Sequence, residues 1–174
     1  MNTLESGQTA LVTRPNSRFM LAHPAHVLAQ GLGSGLSPIM PGTVGTLLAW
    51  LSFAVLSSRW PAVFTPSTWG IIIAVGFVLG AWACSKTGRD LGLPDHGSMV
   101  WDEIIAFWLV LLLVTPAPLS TQAWAFFWFR VFDMLKPPPI RWFDRNIKGG
   151  IGVMWDDIVA AFYTLLLLAL WRVI

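Results

Sequence analysis

The chain has 174 residues, of which 55% are hydrophobic and 11% are charged, and it carries a formal net charge of +2. A soluble domain has about 25% charged residues, so this much apolar surface requires lipid around it and predicts an all-α integral membrane protein. The small net charge, without a basic stripe, argues against nucleic-acid binding, and the single cysteine, Cys84, excludes an internal disulfide framework. The eleven tryptophans are typical of side chains that anchor a protein at the membrane interface.

The chain begins with a polar stretch that is followed by an uncharged segment. We predict that residues 1–18 are a flexible N-terminal segment and that residues 19–174 form a single membrane-embedded domain. Residues 19–42 contain no Asp, Glu, Lys or Arg but are interrupted by proline and glycine. This composition predicts an interfacial or re-entrant segment before the first span.

The glycine-rich string from residue 31 to residue 45 has two interpretations. Its backbone N–H groups could contact a phosphate just before the helix predicted from residue 43, with Ser34 and Thr43 among its hydroxyl side chains. Glycines in membrane proteins also let helices pack closely without binding any ligand. The residues alone favour the second interpretation slightly over the first.

Long stretches without a charged residue indicate the membrane helices, since a span needs about 20 mainly apolar residues. The fourth of the predicted helices is the least regular, because it contains Arg130 and Asp133. The prediction is therefore a compact bundle of about four to five transmembrane helices. Their predicted ranges are residues 43–58, 68–85, 100–116, 120–136 and 152–172.

The basic residues predict the orientation of the bundle. Lys and Arg concentrate before the first predicted span and in the loops after the second and the fourth. Short loops rich in these residues stay in the cytoplasm, so five spans with a cytoplasmic N-terminus satisfy the rule. The same arrangement brings the acidic residues to the cytoplasmic ends of their helices, which predicts one polar site at the inner face of the membrane.

Two similar strings place a pair of carboxylates after a tryptophan at the start of an apolar run. Acids can cap a helix N-terminus, where the helix dipole favours negative charge, and capping accounts for one acid in each helix. Two adjacent acids, repeated in two helices, favour a site for Mg²⁺ or Mn²⁺, which prefer oxygen ligands. The predicted metal ligands are Asp102, Glu103, Asp156 and Asp157.

Three further polar side chains are candidates for chemistry. Arg130 and Asp133, three residues apart on one helix face, could form a simple ion pair. Inside a membrane helix they could also supply a phosphate-binding guanidinium and a metal ligand or general base. His96, beside Asp95, is either a solvated loop residue or a proton donor.

The loop after the fourth predicted span is basic and contains Arg141, Asp144 and Arg145. It can be interpreted as a loop attracted to anionic lipid headgroups. It can also be a structured loop in which the backbone amides of the glycine pair at 149–150 approach an oxyanion. The residues alone do not favour one of these interpretations.

Several of these strings follow one another in an order that is more specific than any one of them. They are Gly33-Ser34-Gly35 with Pro38, Pro41-Gly42-Thr43 with Gly45, His96-Gly97-Ser98, Trp101-Asp102-Glu103, Arg130 with Asp133-Met134 and Lys136-Pro137, Pro139-Ile140-Arg141-Trp142-Phe143-Asp144-Arg145, and Gly149-Gly150 with Asp156-Asp157. This set, from about residue 20 to residue 165, resembles the bacterial phosphatidylglycerophosphatase A family. The resemblance implies a magnesium-dependent enzyme of the bacterial inner membrane. Such an enzyme removes the terminal phosphate of phosphatidylglycerophosphate at the cytoplasmic face.

The resemblance also implies roles for the candidate residues within a phosphatase domain at residues 19–174. Mg²⁺ would lie between the four paired acids and the lipid phosphate. A water on the metal, deprotonated with help from an acid, would attack phosphorus, or one acid would form an aspartyl-phosphate. The partners implied are the lipid substrate and the bilayer, and no oligomeric state is predicted. The catalytic candidates are Asp133, Asp144 and His96, and the substrate-binding candidates are Arg130, Lys136, Arg141, Arg145, Ser34 and Thr43.

A small membrane cation transporter or channel is the alternative function, because acidic side chains within membranes often mark ion paths. A path needs polar groups on both sides of the membrane, whereas the predicted acids gather at one face. A structural or lipid-binding membrane protein is a third possibility. It would tolerate the replacement of either acid pair by amides, and an enzyme would not.

Overall fold

The computed structural model describes residues 14–138, 147 and 149–173. The secondary-structure elements in these residues are all helices, with no strand, which confirms the all-α prediction. The helices, in chain order, are α1 (Ser17–Leu21), α2 (Pro24–Ala29), a 3₁₀ helix (Gly31–Leu36), α3 (Pro41–Arg59), α4 (Pro66–Leu91), α5 (Trp101–Val114), α6 (Leu119–Leu135) and α7 (Gly150–Val173).

The five long helices, α3 to α7, coincide with the five predicted spans to within a few residues. Pro41 and Pro66 are the first residues of α3 and α4, where the missing N–H of proline has no intrahelical partner to lose. The largest difference is at the end of α4, which continues past the predicted end at residue 85 to Leu91. It stops only where Gly92 adopts a left-handed φ of 71°.

Three of the described helices, α3, α4 and α7, are long and apolar enough to cross a membrane. α5 has 14 residues and is roughly 21 Å long at 1.5 Å per residue, which is less than the hydrocarbon core of about 30 Å. Most of α5 is buried against α3, α4, α6 and α7. It is therefore the central helix of the bundle, and the surrounding helices carry exposed apolar side chains such as Leu51, Val78 and Leu166.

Some tryptophans lie inside the bundle, where the composition predicted interfacial anchors. The indole Nε1 of Trp101 donates to the Gly76 carbonyl oxygen at 2.9 Å, and that of Trp108 donates to the Ala49 carbonyl oxygen at 3.0 Å. A buried indole needs an acceptor for its N–H group, and the backbone carbonyls of α4 and α3 provide one. These two side chains therefore fix α5 against its neighbours.

The segment before α3 is a series of short helices held against the long ones. α2 packs on α4, and the 3₁₀ helix packs on α3. His26 of α2 contacts both α1 and α4, since its Nδ1 lies 3.0 Å from the Phe19 carbonyl oxygen and its Nε2 lies 2.7 Å from Asp90 Oδ2. α1 begins at Ser17, and because residues 1–13 lie outside the described part, the flexible segment predicted for residues 1–18 stays a prediction.

Candidate functional site

Polar side chains from three helices meet in one layer near one end of the bundle. Asp102 and Glu103 lie in the first turn of α5, and Asp133 lies in the last turn of α6. Asp156 and Asp157 lie in the second turn of α7. The start of α3 borders the same layer through Gly42. The predicted gathering of the acids at one end of the helices is therefore present in the described structure.

Three of the four predicted metal ligands form a compact cluster. Asp102, Glu103 and Asp157 each contribute a carboxylate oxygen, and these oxygens lie within 4.8 Å of one another. Asp102 and Asp157 are only 7% and 3% exposed. One oxygen of each acid (Asp102 Oδ1, Glu103 Oε2 and Asp157 Oδ2) is buried without a hydrogen-bond partner in the described part of the chain.

Such a cluster is unfavourable unless positive charge or protons lie among the carboxylates. Unpaired carboxylate oxygens are the donor type that a hard divalent cation prefers. We call Asp102, Glu103 and Asp157 the acid trio. Its donor set fits Mg²⁺, because three carboxylate oxygens from different residues converge on one point in the interior of the bundle.

Asp156, the fourth predicted ligand, has a different environment. Its Oδ2 accepts from Lys136 Nζ, and its Oδ1 accepts from the backbone N–H of Asp157 at 3.1 Å. Both oxygens of Asp156 are therefore already bonded. The two adjacent acids of α7 differ because a step of one residue turns the side chain by about 100° around the helix axis. A metal-ligating role for Asp156 stays a prediction.

Arg130 lies between two acids from different helices. Its Nη1 donates to Asp133 Oδ2 at 2.6 Å and lies 3.6 Å from Glu103 Oε1. The side chains of all three residues are 11–13% exposed, and the Nε of Arg130 has no partner among the described residues. The pair of Arg130 and Asp133 is thus an ion pair, as one interpretation predicted, and Arg130 also borders the acid trio.

Gly42 brings the backbone of α3 up to this layer, a contact that was not predicted from the sequence. A Cβ atom built on Gly42 would overlap Glu103 Oε1 and would lie 3.0 Å from Arg130 Nη2. Only a residue without a side chain permits this approach. The signal for it in the sequence is the glycine that directly follows Pro41 at the start of a predicted helix.

The two predicted hydroxyl contacts of the glycine-rich string have separate surroundings. Ser34 Oγ donates to the Gly31 carbonyl oxygen at 2.8 Å, a bond within the 3₁₀ helix. Thr43 follows Gly42 in α3, and its Oγ1 is buried without a partner among the described residues. Gly35 lies so close to the Ser98 carbonyl oxygen that a Cβ atom would overlap it. Close packing therefore explains part of the string.

His96 lines a cleft of about 410 Å³ beside the start of α3. Its Nδ1 accepts from the Ser98 backbone N–H at 3.1 Å and lies 2.8 Å from Ser98 Oγ. A nitrogen that accepts a backbone N–H carries no proton, so the neutral ring carries its proton on Nε2. Partial burial lowers the pKa of His96 below its usual value, and the charge of Asp95 opposes this change.

Three predicted site residues lie outside the described part of the chain. Arg141, Asp144 and Arg145 fall within residues 139–146, for which no placement is given. Their assignment as substrate-binding or catalytic residues stays a prediction. Lys136, which is described, lies directly after α6 and contacts Asp156.

Comparison with known proteins places the chain among lipid phosphatases. The family model described as Phosphatidylglycerophosphatase A matches residues 27–172. A phosphatidylglycerophosphatase A of Escherichia coli K12 is 45% identical over 144 residues, which cover 83% of this chain and 81% of the relative. A phosphatidylglycerophosphatase A of Haemophilus influenzae is 39% identical over 87% of this chain and 91% of its own length. A Bacteroides thetaiotaomicron protein, provisionally named as a phosphatidylinositol-3-phosphatase, is 36% identical over 84% and 92%. No solved structure gives a significant match.

Proposed function

Because the chain belongs to the phosphatidylglycerophosphatase A family of membrane-bound phosphoric monoester hydrolases, we propose that it hydrolyses phosphatidylglycerophosphate to phosphatidylglycerol and phosphate. We further propose that the reaction depends on Mg²⁺ and takes place at the cytoplasmic face of the bacterial inner membrane. The observation that carries the proposal is the convergence of three carboxylates, two of them buried and one 12% exposed, beside an arginine.

In this proposal the acid trio holds the magnesium ion. Asp102, Glu103 and Asp157 are suited to this role because each has a buried oxygen without a hydrogen-bond partner in the described residues. When bound, the ion would neutralise phosphate charge and polarise the bond to the leaving oxygen. Asp156, paired with Lys136, would keep α7 in register beside the ion.

The cationic side chains would bind the phosphate oxygens. Arg130 borders the trio, and its bond to Asp133 uses one of its five N–H donors, so the others can reach a phosphate. Lys136 lies across the layer beside Asp156. Arg141 and Arg145 are further candidates, which stand on the sequence alone.

Proton transfer requires a base outside the trio. Asp133 is the described candidate beside the trio, since it lies next to Asp157 and is held by Arg130. Its carboxylate would take a proton from the water that attacks phosphorus and pass it to the leaving glycerol oxygen. The competing mechanism forms an aspartyl-phosphate on one of the acids. Rapid acid quenching after addition of ³²P-labelled substrate separates the two, because only the second mechanism leaves label on the protein.

The test of the function is phosphate release from phosphatidylglycerophosphate by the purified protein in detergent. We expect release with Mg²⁺, no release with EDTA, and recovery when Mg²⁺ is added again. A folded protein that releases no phosphate would contradict the substrate assignment. Release that EDTA does not affect would contradict the metal assignment alone.

The cation transporter or channel, which the sequence allowed as an alternative, has no support from a specific observation. The chain belongs to a family of phosphatases. The acids in the described part of α5 and α7 are confined to the first two turns of each helix. An ion path would need polar groups further along the same helices.

A further inference from the structure

The cleft beside His96 has no role in the reaction as proposed above. Arg14 and Pro38 form one side of it, and His96, Ser98 and Pro41 line other parts. We call it the Arg14 cleft. Arg14 is its cationic lining residue among those described, and besides His96 its remaining walls are formed by Leu36 and by glycine, serine and proline residues.

The polar groups of the Arg14 cleft suit a singly charged anion. Arg14 Nη1 donates to the Pro38 carbonyl oxygen at 3.0 Å, which holds the guanidinium in place and leaves its other N–H groups available. His96 accepts the Ser98 backbone N–H on Nδ1, so its Nε2–H is a neutral donor. One cation and one neutral donor match a phosphodiester better than a doubly charged phosphomonoester.

The position of the cleft relates it to the acid trio. Pro41 lines the cleft and directly precedes Gly42, whose α-carbon lies against Glu103 and Arg130. The first turn of α3 therefore separates the cleft from the site proposed for the terminal phosphate. In phosphatidylglycerophosphate a three-carbon glycerol unit joins the terminal phosphomonoester to a phosphodiester. A group that binds the phosphodiester should therefore lie close to the site that binds the terminal phosphate.

We propose that the Arg14 cleft binds the phosphodiester of the lipid headgroup, with Arg14 as the cation and His96 as a hydrogen-bond donor. The inference rests on the proposed function and adds a second recognition point for the same substrate. Arg14 precedes the residues 27–172 that the family model matches. This contact is therefore a feature of this chain outside the region it shares with the family model.

The test compares Arg14→Gln with a matched control, Arg18→Gln. Both arginines are exposed and lie in the N-terminal segment, but Arg18 does not line the cleft. Binding of dihexanoyl phosphatidylglycerol, which keeps the phosphodiester and lacks the monoester, is measured by calorimetry in neutral detergent. We expect about tenfold weaker binding for Arg14→Gln, the size of one charge-assisted hydrogen-bond contact, and unchanged binding for Arg18→Gln.

Kinetics give an independent measurement of the same contact. For Arg14→Gln we expect KM for phosphatidylglycerophosphate to rise about tenfold with kcat unchanged, because the contact is made equally in ground state and transition state. Inhibition by inorganic phosphate, which has no phosphodiester, should not change. Arg14→Lys should restore part of the lost affinity, since it keeps the charge without the planar fork.

The outcomes separate this proposal from the proposed function. Equal weakening of binding in Arg14→Gln and Arg18→Gln would overturn the subsite and would indicate general attraction to anionic lipid. Unchanged binding in both variants would also overturn the subsite. If the wild-type protein releases no phosphate from phosphatidylglycerophosphate but binds dihexanoyl phosphatidylglycerol through Arg14, the proposed function fails while the phosphodiester site stands.

Discussion

At the scale of single residues, the four paired acids fall into two groups that their sequence context does not distinguish. Each member of the acid trio has a buried oxygen without a donor among the described residues. Asp156 has both oxygens bonded, one to Lys136 and one to the backbone of Asp157. Loss of a ligand and loss of a supporting ion pair should therefore affect catalysis to different extents.

We expect Asp102→Asn and Asp157→Asn to lower kcat by roughly a thousandfold or more at saturating Mg²⁺, because a neutral amide is a weaker ligand and leaves phosphate charge uncompensated. Asp156→Asn should lower it only about 10- to 100-fold, as loss of an outer-shell partner does. The measurement is steady-state phosphate release by purified variants, with thermal unfolding in detergent as the check of folding.

Lys136→Met is the matched control for Asp156→Asn, because it removes the other partner of the same ion pair. Because Lys136 is also a proposed phosphate ligand, Lys136→Met should be the less active of the two single variants. The double variant should be no less active than Lys136→Met alone, since that change already breaks the pair with Asp156. If Asp156→Asn is as inactive as Asp102→Asn, Asp156 belongs with the metal ligands and the distinction drawn here is wrong.

At the scale of elements, the site depends on how closely α3 and α5 approach their neighbours. Gly42 allows the first turn of α3 to lie against Glu103 and Arg130. Trp101, which directly precedes Asp102, donates its indole N–H to α4. Both contacts orient the first turn of α5. The same residues therefore determine a helix–helix contact and the positions of the proposed site residues in that turn.

Gly42→Ala should reduce activity about 10- to 100-fold, because the added methyl group displaces Glu103 or Arg130 from the layer. Gly70→Ala is the control, since nothing lies within 4 Å of a Cβ atom at that position. Its activity should equal that of the wild type. The Mg²⁺ concentration for half-maximal activity should rise in the first variant only, and an unchanged value would contradict the contact between α3 and Glu103.

Trp101→Phe should lower the free energy of unfolding by about 1–3 kcal/mol, because it removes the hydrogen bond to Gly76 and leaves space in a packed interior. Trp82→Phe is the comparison, since that indole is 50% exposed. It should change stability by less than about 0.5 kcal/mol. Both values come from denaturation in detergent, and equal values would argue against the indole of Trp101 as a link between α5 and α4.

At the scale of the whole molecule, the charged side chains are distributed unequally between the two ends of the bundle. The acid layer, Lys136 and the end of α4 with Lys86 and Arg89 lie towards one end, and Arg59 ends α3 at the other. The positive-inside rule predicts that the acid end faces the cytoplasm, as we propose. The substrate headgroup would then meet the site from the inner leaflet.

Single cysteines at the two ends test this orientation, because Cys84 is buried and should not react. Ala62→Cys lies in the connection between α3 and α4, and Ser17→Cys lies at the start of α1. A membrane-impermeant maleimide should label Ala62→Cys in intact spheroplasts and Ser17→Cys only after lysis. The reverse pattern would place the acid layer outside the cytoplasm.

Much of the fold was predictable because its signals are local. A helix that lipid covers needs a long apolar run whatever its neighbours are, so the ranges of α3 to α7 could be predicted from residue types alone. The end of α4 was placed too early because charged residues such as Lys86 end a membrane span without ending a helix. Local chemistry also identifies the paired acids, because carboxylates next to a membrane span are energetically costly, and this cost predicts a function for them.

The sequence by itself determined the helices, their order and the acids in the first two turns of α5 and α7. Only the tertiary structure decided that Asp157 joins the trio while Asp156 pairs with Lys136, and that Gly42 lies against Glu103. The reason is geometric: helical periodicity gives the angle between two neighbouring side chains, but the rotation of each helix about its own axis is set by packing against the others. Contacts between residues far apart in the chain fix that rotation, and with it the site.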